Sequence, residues 1–95
     1  MAEFTEHPGK NVGDITVYAL SYCPYCHHAL EFLNEHDIAY KYVFVDTAPP
    51  DEAETIEEQV EKYNPDETFP TIVVDDGKQV IIGYNEPALE KLIAA

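Results

Sequence analysis

The chain has 95 residues, one domain's worth, and 45% of them are apolar, enough for a modest core but not for a second lobe. Nineteen Asp and Glu residues stand against five lysines and no arginine, and the resulting net charge of −14 makes nucleic acid and anionic membrane surfaces poor partners. A partner protein with a basic docking face suits such a surface; plain solubility, or a saline cytoplasm, accounts for the acidity equally well.

Residues 1–13 are mixed polar, include His7-Pro8-Gly9-Lys10 and contain no apolar run. They read as a flexible N-terminal tail with neither a signal peptide nor a membrane span, which leaves residues 14–95 as the folded domain and the cytoplasm as the default address. Residues 15–20, Ile-Thr-Val-Tyr-Ala-Leu, are β-branched and aromatic and predict a buried strand. Residues 25–36 predict a helix, with Cys26, Ala29, Leu30 and Leu33 repeating at helical spacing. A second strand follows over residues 40–46, ended by Pro49-Pro50, and a second helix over residues 51–63 with Ala53, Ile56, Val60 and Tyr63 as its apolar stripe. The segment from Asp46 to Glu67 holds nine carboxylates and one lysine, most of which belong to the solvated face of that helix. Residues 69–74 predict a third strand opened by Pro70, where proline costs a strand least. Asp75-Asp76-Gly77-Lys78 predicts a tight two-residue hairpin turn, since Asp-Gly supplies positive φ. Gln79 to Ile82 returns as a fourth strand ended by Gly83. Asn85 then caps a last helix with Pro87 in its first turn and Leu89, Leu92 and Ile93 inward. The order βαβαββα predicts an α/β fold with a four-stranded mixed sheet flanked by helices. Its first two strands run parallel and the hairpin supplies the antiparallel pair.

Cys23-Pro24-Tyr25-Cys26 lies at the junction of the first strand and first helix and contains the only two cysteines. A bond between them closes too small a loop to stabilise the fold, so the pair reads as a redox-active dithiol, with a buried structural pair or metal ligation as the alternatives. Pro24 suits the first helical turn, where no N–H is needed. Cys23 then sits at the helix N-terminus, where free N–H groups and the helix dipole favour a thiolate. Cys26, one turn deeper, is the buried resolving thiol. In the implied cycle Cys23 attacks a substrate disulfide and Cys26 then attacks Cys23 to release the reduced product. His27 either lies beside Cys23, favouring the thiolate when protonated, or faces solvent. Cys-x-x-Cys-His also fits covalent haem attachment, but the only methionine is Met1 and no export signal is seen. Zinc held by Cys23, Cys26, His27 and His28 would need four ligands from six consecutive residues around one tetrahedral ion, which a helix does not readily provide. No metal is expected.

Cys23-Pro24-Tyr25-Cys26 is identical to the dithiol active-site motif of the glutaredoxins. Thr68-Phe69-Pro70 resembles that family's Thr-Val-Pro, and Gly83 stands at its glycine turn. From Ile15 to its end the chain is therefore similar to the glutaredoxin family. The resemblance implies a thioredoxin fold with a cis Pro70 beside the dithiol, whereas the residues alone suggest a trans proline opening a strand. It also implies Cys23 as nucleophile, Cys26 as resolving thiol, and a substrate site made of Tyr25, Thr68, Phe69, Pro70, Gly83 and Tyr84, with the Phe69 backbone pairing a substrate strand. Two departures bear on the reductant. Leu20 replaces a lysine common in the family, and Gly83-Tyr84-Asn85-Glu86 replaces a glycine pair with its polar-acidic stretch; both family features help bind glutathione carboxylates. Glutathione, an anion, is disfavoured as the main reductant. Gly83-Tyr84 more closely resembles the thioredoxin-like redoxins that feed ribonucleotide reductase and take electrons from a protein reductase. Tyr22 and Tyr25 either offer a partner an apolar landing spot or simply shield the disulfide.

The expected function is that of a monomeric cytoplasmic thiol–disulfide oxidoreductase with no cofactor beyond its redox-active disulfide. Electrons would pass from thioredoxin reductase, a ferredoxin-linked reductase or glutathione to protein disulfides, ribonucleotide reductase among them. Two other classes compete. One is an iron–sulfur or metal carrier bridging a cluster across a dimer through Cys23 and glutathione, against which Pro24 argues. The other is a redox-gated binding module docking a basic partner on its acidic second helix.

Overall fold

Alternating side chains on the central strands divide one sheet into two buried faces, and the helices cover both. The computed structural model describes residues 4–94. Its strands are β1 (Thr5–His7), β2 (Ile15–Ala19), β3 (Tyr40–Phe44), β4 (Thr71–Val74) and β5 (Gln79–Ile82); its helices are α1 (Pro24–Glu35), α2 (Pro50–Tyr63) and α3 (Glu86–Ala94). The sheet order is β1-β3-β2-β4-β5. β2 and β3 are parallel and joined through α1, as parallel neighbours with a helical crossover must be; the other three pairs are antiparallel.

Ile15, Val17 and Ala19 of β2 and Ile72 and Val74 of β4 pack with Cys26, Ala29, Leu30 and Leu33 of α1 and Leu89 and Leu92 of α3. Tyr18, Val43 and Val73 point the other way and meet Ile56 and Val60 of α2. The helical spacing read from the sequence corresponds to the buried stripe of α1, while in α2 and α3 it is Ile56, Val60, Leu89 and Leu92 that are buried and Ala53, Tyr63 and Ile93 are half-buried; burying each such Leu or Ile stabilises the fold by about 2 kcal/mol. Asn85 caps α3 as expected, its Oδ1 accepting from the Ala88 N–H at 3.2 Å.

The sheet has five strands where four were expected. The fifth, β1, falls inside the segment read as a tail, and Met1–Glu3 of that segment lie outside the described residues. Thr5, Glu6 and His7 pair with Tyr42, Lys41 and Tyr40, and Lys10 bridges to Ile38. This covers an edge of β3 whose N–H and C=O groups would otherwise face solvent. Thr-Glu-His carries no apolar alternation because β1 buries little on either face, so its pairing is invisible to periodicity. Two boundaries also shift. β3 ends at Phe44 and Val45–Thr47 forms a 3-10 turn, and β4 starts at Thr71, leaving residues 68–70 as loop. The two-residue hairpin turn becomes a longer connection in which Asp75 and Asp76 take φ of 51° and 58°. Its cause is tertiary: Asp75 donates its N–H to the Asp14 carbonyl and accepts the Asp14 N–H on Oδ1, which pulls the turn against the start of β2.

Candidate active site

The site forms where β2 ends and α1 begins. Cys23 is the N-cap of α1, with extended backbone (φ −92°, ψ 115°), and its Sγ accepts the Cys26 N–H at 3.3 Å. A cap oxygen normally fills this role; here a sulfur does, so the Cys26 N–H points at the Cys23 sulfur. Pro24 takes the first helical position. Cys23 is half-buried, and Cys26 is fully buried beneath it. Burial, reinforced by the hydrogen bond to Cys23, pushes the Cys26 thiol up to about 12. The two sulfurs therefore differ: Cys23 is partly accessible, and Cys26 is protected and keeps its proton in the resting dithiol.

The turn before Cys23 is clamped from the 3-10 turn that follows β3. Ser21 donates its N–H to Asp46 Oδ1 at 2.8 Å and its hydroxyl to Asp46 Oδ2, and the hydroxyl holds the Asp46 carboxyl below the usual carboxylate range. His27 closes the other side, with Nε2 within 2.6 Å of the Ser21 carbonyl and its ring 6.0 Å from that of Phe44. The imidazole thus binds the loop backbone instead of the sulfur. Leu20, at the position where many glutaredoxins carry lysine, packs against the core under α2 and donates its N–H toward Cys26 Sγ at 3.5 Å.

The Phe69–Pro70 bond is cis, and the Phe69 carbonyl lies 4.0 Å from Cys23 Sγ. Pro70 is fully buried. Its carbonyl accepts the Gly83 N–H at 2.8 Å. Gly83 has φ of 77°, the left-handed region in which glycine is unstrained. Tyr84 follows against His28, ring centres 5.8 Å apart. Tyr22 and Tyr25 are 73% and 65% exposed on either side of the thiols. Cys23, Cys26, Phe69, Pro70, Gly83 and Tyr84 therefore come together from three loops. Thr68 is exposed, with its carbonyl turned inward to accept from Thr71 Oγ1 at 2.7 Å and from Asn64 Nδ2 at 3.1 Å.

Three site-building residues escaped the sequence reading: Ser21, Asp46 and Asn64. Asp46 could have been found as a carboxylate just past the end of a parallel strand, the edge where α/β folds assemble their sites. Asn64 could have been found as the polar residue in front of Pro65 at the predicted end of α2. Among the described residues, no group of three or more His, Cys, Asp or Glu side chains converges to hold a metal ion. No helix among them is long and apolar enough to cross a membrane.

The geometry defines the class first: a thioredoxin-fold disulfide oxidoreductase, with its dithiol at the N-terminus of a helix facing a cis-proline loop. The family model Glutaredoxin matches residues 15–80, and the chain belongs to the glutaredoxin family. Among solved structures it is similar to the glutaredoxin of Methanosarcina mazei Go1 (TM-score 0.88, 26% identity, covering 99% of this chain and 90% of that one). It is also similar to methanoredoxin of Methanosarcina acetivorans (0.87, 30% identity, 92% and 90%) and to a glutaredoxin of Archaeoglobus fulgidus (0.79, 29% identity, 87% and 88%). No protein of curated function matches the sequence at a significant level. The family and fold support a thiol–disulfide redox function.

Proposed function

We propose that this protein reduces disulfides in partner proteins whose disulfide is flanked by a basic segment, and that a protein reductase, not glutathione, returns its electrons. The observation that carries this reading is the charge around the thiols. Residues 20–28, 44–47, 66–70 and 83–86 contain Asp46, Asp66, Glu67 and Glu86 and not one lysine, and Asp46 is bonded to Ser21 two residues before Cys23. A groove so charged attracts a cationic strand and repels the carboxylates of an anionic tripeptide. Exposed Tyr22 and Tyr25 add apolar area on which a protein partner can settle. Ribonucleotide reductase is one candidate substrate, and the reducing cytoplasm is the compartment that suits this chemistry.

The cycle conserves two electrons. The Cys23 thiolate attacks one sulfur of the substrate disulfide; a Cys23–substrate bond forms and the other substrate sulfur leaves as a thiolate. Cys26 then gives up its proton and its sulfur attacks Cys23. The Cys23–Cys26 disulfide forms, the second substrate thiolate leaves, and the dithiol has been oxidised by two electrons. A reductase dithiol reverses the last state by the same exchange. Bonding of the Phe69 backbone to a substrate strand would hold the scissile disulfide over Cys23.

The test reduces the oxidised protein either with glutathione and glutathione reductase or with NADPH and thioredoxin reductase, each coupled to insulin disulfides. The expected result is turnover that depends on the protein reductase, is abolished in Cys23→Ser, and is replaced by trapped mixed disulfides in Cys26→Ser. Rapid turnover on glutathione alone would overturn the reductant assignment. Full activity in Cys23→Ser would overturn the function.

A further inference from the structure

The residue with the most unexplained bonding lies outside the thiols. Asn64 is 1% exposed and uses every polar group it has. As the C-cap of α2 it donates its backbone N–H to the Val60 carbonyl at 2.7 Å and accepts the Glu67 N–H on its own carbonyl at 2.8 Å. The side-chain Oδ1 accepts the Asp66 N–H at 3.2 Å. The Nδ2 group lies 3.1 Å from the Thr68 carbonyl, 3.0 Å from Thr68 Oγ1 and 3.0 Å from Thr71 Oγ1. The Thr71 hydroxyl donates to the Thr68 carbonyl at 2.7 Å, leaving its oxygen free to accept from Nδ2. One amide thus engages Asp66, Thr68 and Thr71, three points on the path from α2 to β4, and Glu67 between them sits at φ 49°. Phe69 lies inside the span so gripped, between Thr68 and Thr71, and its carbonyl faces Cys23 Sγ at 4.0 Å.

We propose that Asn64 is a positioning residue for substrate binding. It turns the Thr68 carbonyl into the fold and so fixes the orientation of the Phe69 backbone in the groove over Cys23. The requirement is for an amide specifically. Two donor hydrogens and one acceptor are needed at one buried point, and a carboxylate of the same shape has no hydrogens to give. The assignment deepens the function proposed above and rests on it for the identity of the ligand.

Asn64→Asp and Thr71→Val test it. Each is assayed for KM and kcat on a protein disulfide, for the rate of Cys23 alkylation by iodoacetamide, and for backbone amide exchange by NMR. The expected result for Asn64→Asp is a KM raised about tenfold, the scale of one or two buried hydrogen bonds lost. Alkylation of Cys23 should stay within about twofold of wild type, because the Cys26 N–H bond to its sulfur is untouched. Thr71→Val, which keeps the volume and removes one bridge, should raise KM by a smaller factor. In both variants amide exchange should quicken for the loop containing Phe69 but not for α1. Unchanged KM in variants still folded at the assay temperature would overturn the proposal. A fall in kcat, alkylation and folded fraction together would also overturn it, since a merely structural role predicts that pattern. If the wild-type protein reduced no protein disulfide, the function above would fail, whereas the amide readout would still decide whether Asn64 holds the loop: unaltered exchange there rejects the proposal by itself.

Discussion

At the level of single residues, the asymmetry between two cysteines three positions apart comes from a single turn of helix. Cys23 caps the helix, its carbonyl accepting the His27 N–H and its sulfur the Cys26 N–H; Cys26 lies a turn further in and is fully buried. Iodoacetamide at neutral pH should therefore label Cys23 and leave Cys26 unmodified in the folded dithiol, which peptide mass mapping would read; equal labelling would refute the burial argument. The same burial sets an alkaline limit on stability. Burial holds Cys26 up at about 12 from an ordinary 9.0, and Tyr18 is raised, again chiefly by burial, from 10.0 to about 12. Both groups keep their protons in the fold after the unfolded chain has begun to lose them. Stability is thus intact below about pH 9 and falls as pH rises from there through about 12. Urea melts on either side of that onset should show a lower midpoint on the alkaline side, with a smaller drop in Tyr18→Phe. Coincident midpoints would contradict the sign.

For the elements, the loop between β1 and β2 matters more than its composition suggests. Gly9 approaches the backbone of Asp37 so closely that a Cβ placed there would lie 2.3 Å from the Asp37 carbonyl oxygen. The neighbour is backbone and cannot swing aside. Gly9→Ala should destabilise the protein by about 1–3 kcal/mol, the usual cost of forcing atoms into a filled site, and should loosen the Lys10–Ile38 bridge with the docking of β1. A thermal melt checks this; a melting temperature equal to wild type would mean that the segment is free to move away. At the other end of the chain, Asn85→Ala removes the side-chain cap of α3 and should cost about 1 kcal/mol, measurable by urea titration.

Taken whole, the molecule carries far more charge than its size disperses. With a net charge of −14 on 95 residues, carboxylates repel one another across the folded surface, and compaction brings them closer than the unfolded chain does. Sodium chloride shortens the reach of that repulsion to about 10 Å at 0.1 M and about 3 Å at 1 M. The melting temperature should rise with salt over that range, and a flat or falling curve would show that specific ion pairs outweigh the repulsion. The acidity also bears on function, since the same field that strains the fold would steer a basic partner to the groove.

What could be read from the sequence was whatever local chemistry and periodicity encode. Cys26, Ala29, Leu30 and Leu33 marked the buried face of α1, and Ile56 and Val60 that of α2, because helical spacing must place them on one stripe. Cys23-Pro24 marked the head of α1, because proline and a capping atom suit the first turn. The dithiol and the residues around Pro70 could be named in advance by resemblance. Contacts between residues distant in the chain could only be decided by the tertiary structure. The polar strand Thr5–His7 carries no signal of its own and exists because β3 offers an open edge. The long turn at Asp75 is drawn in by Asp14, sixty-one positions earlier. The Ser21–Asp46 clamp joins residues twenty-five apart. Asn64 lies just past the helix read from the sequence, and its bonding becomes apparent only when the chain folds back and buries its amide against Thr68 and Thr71.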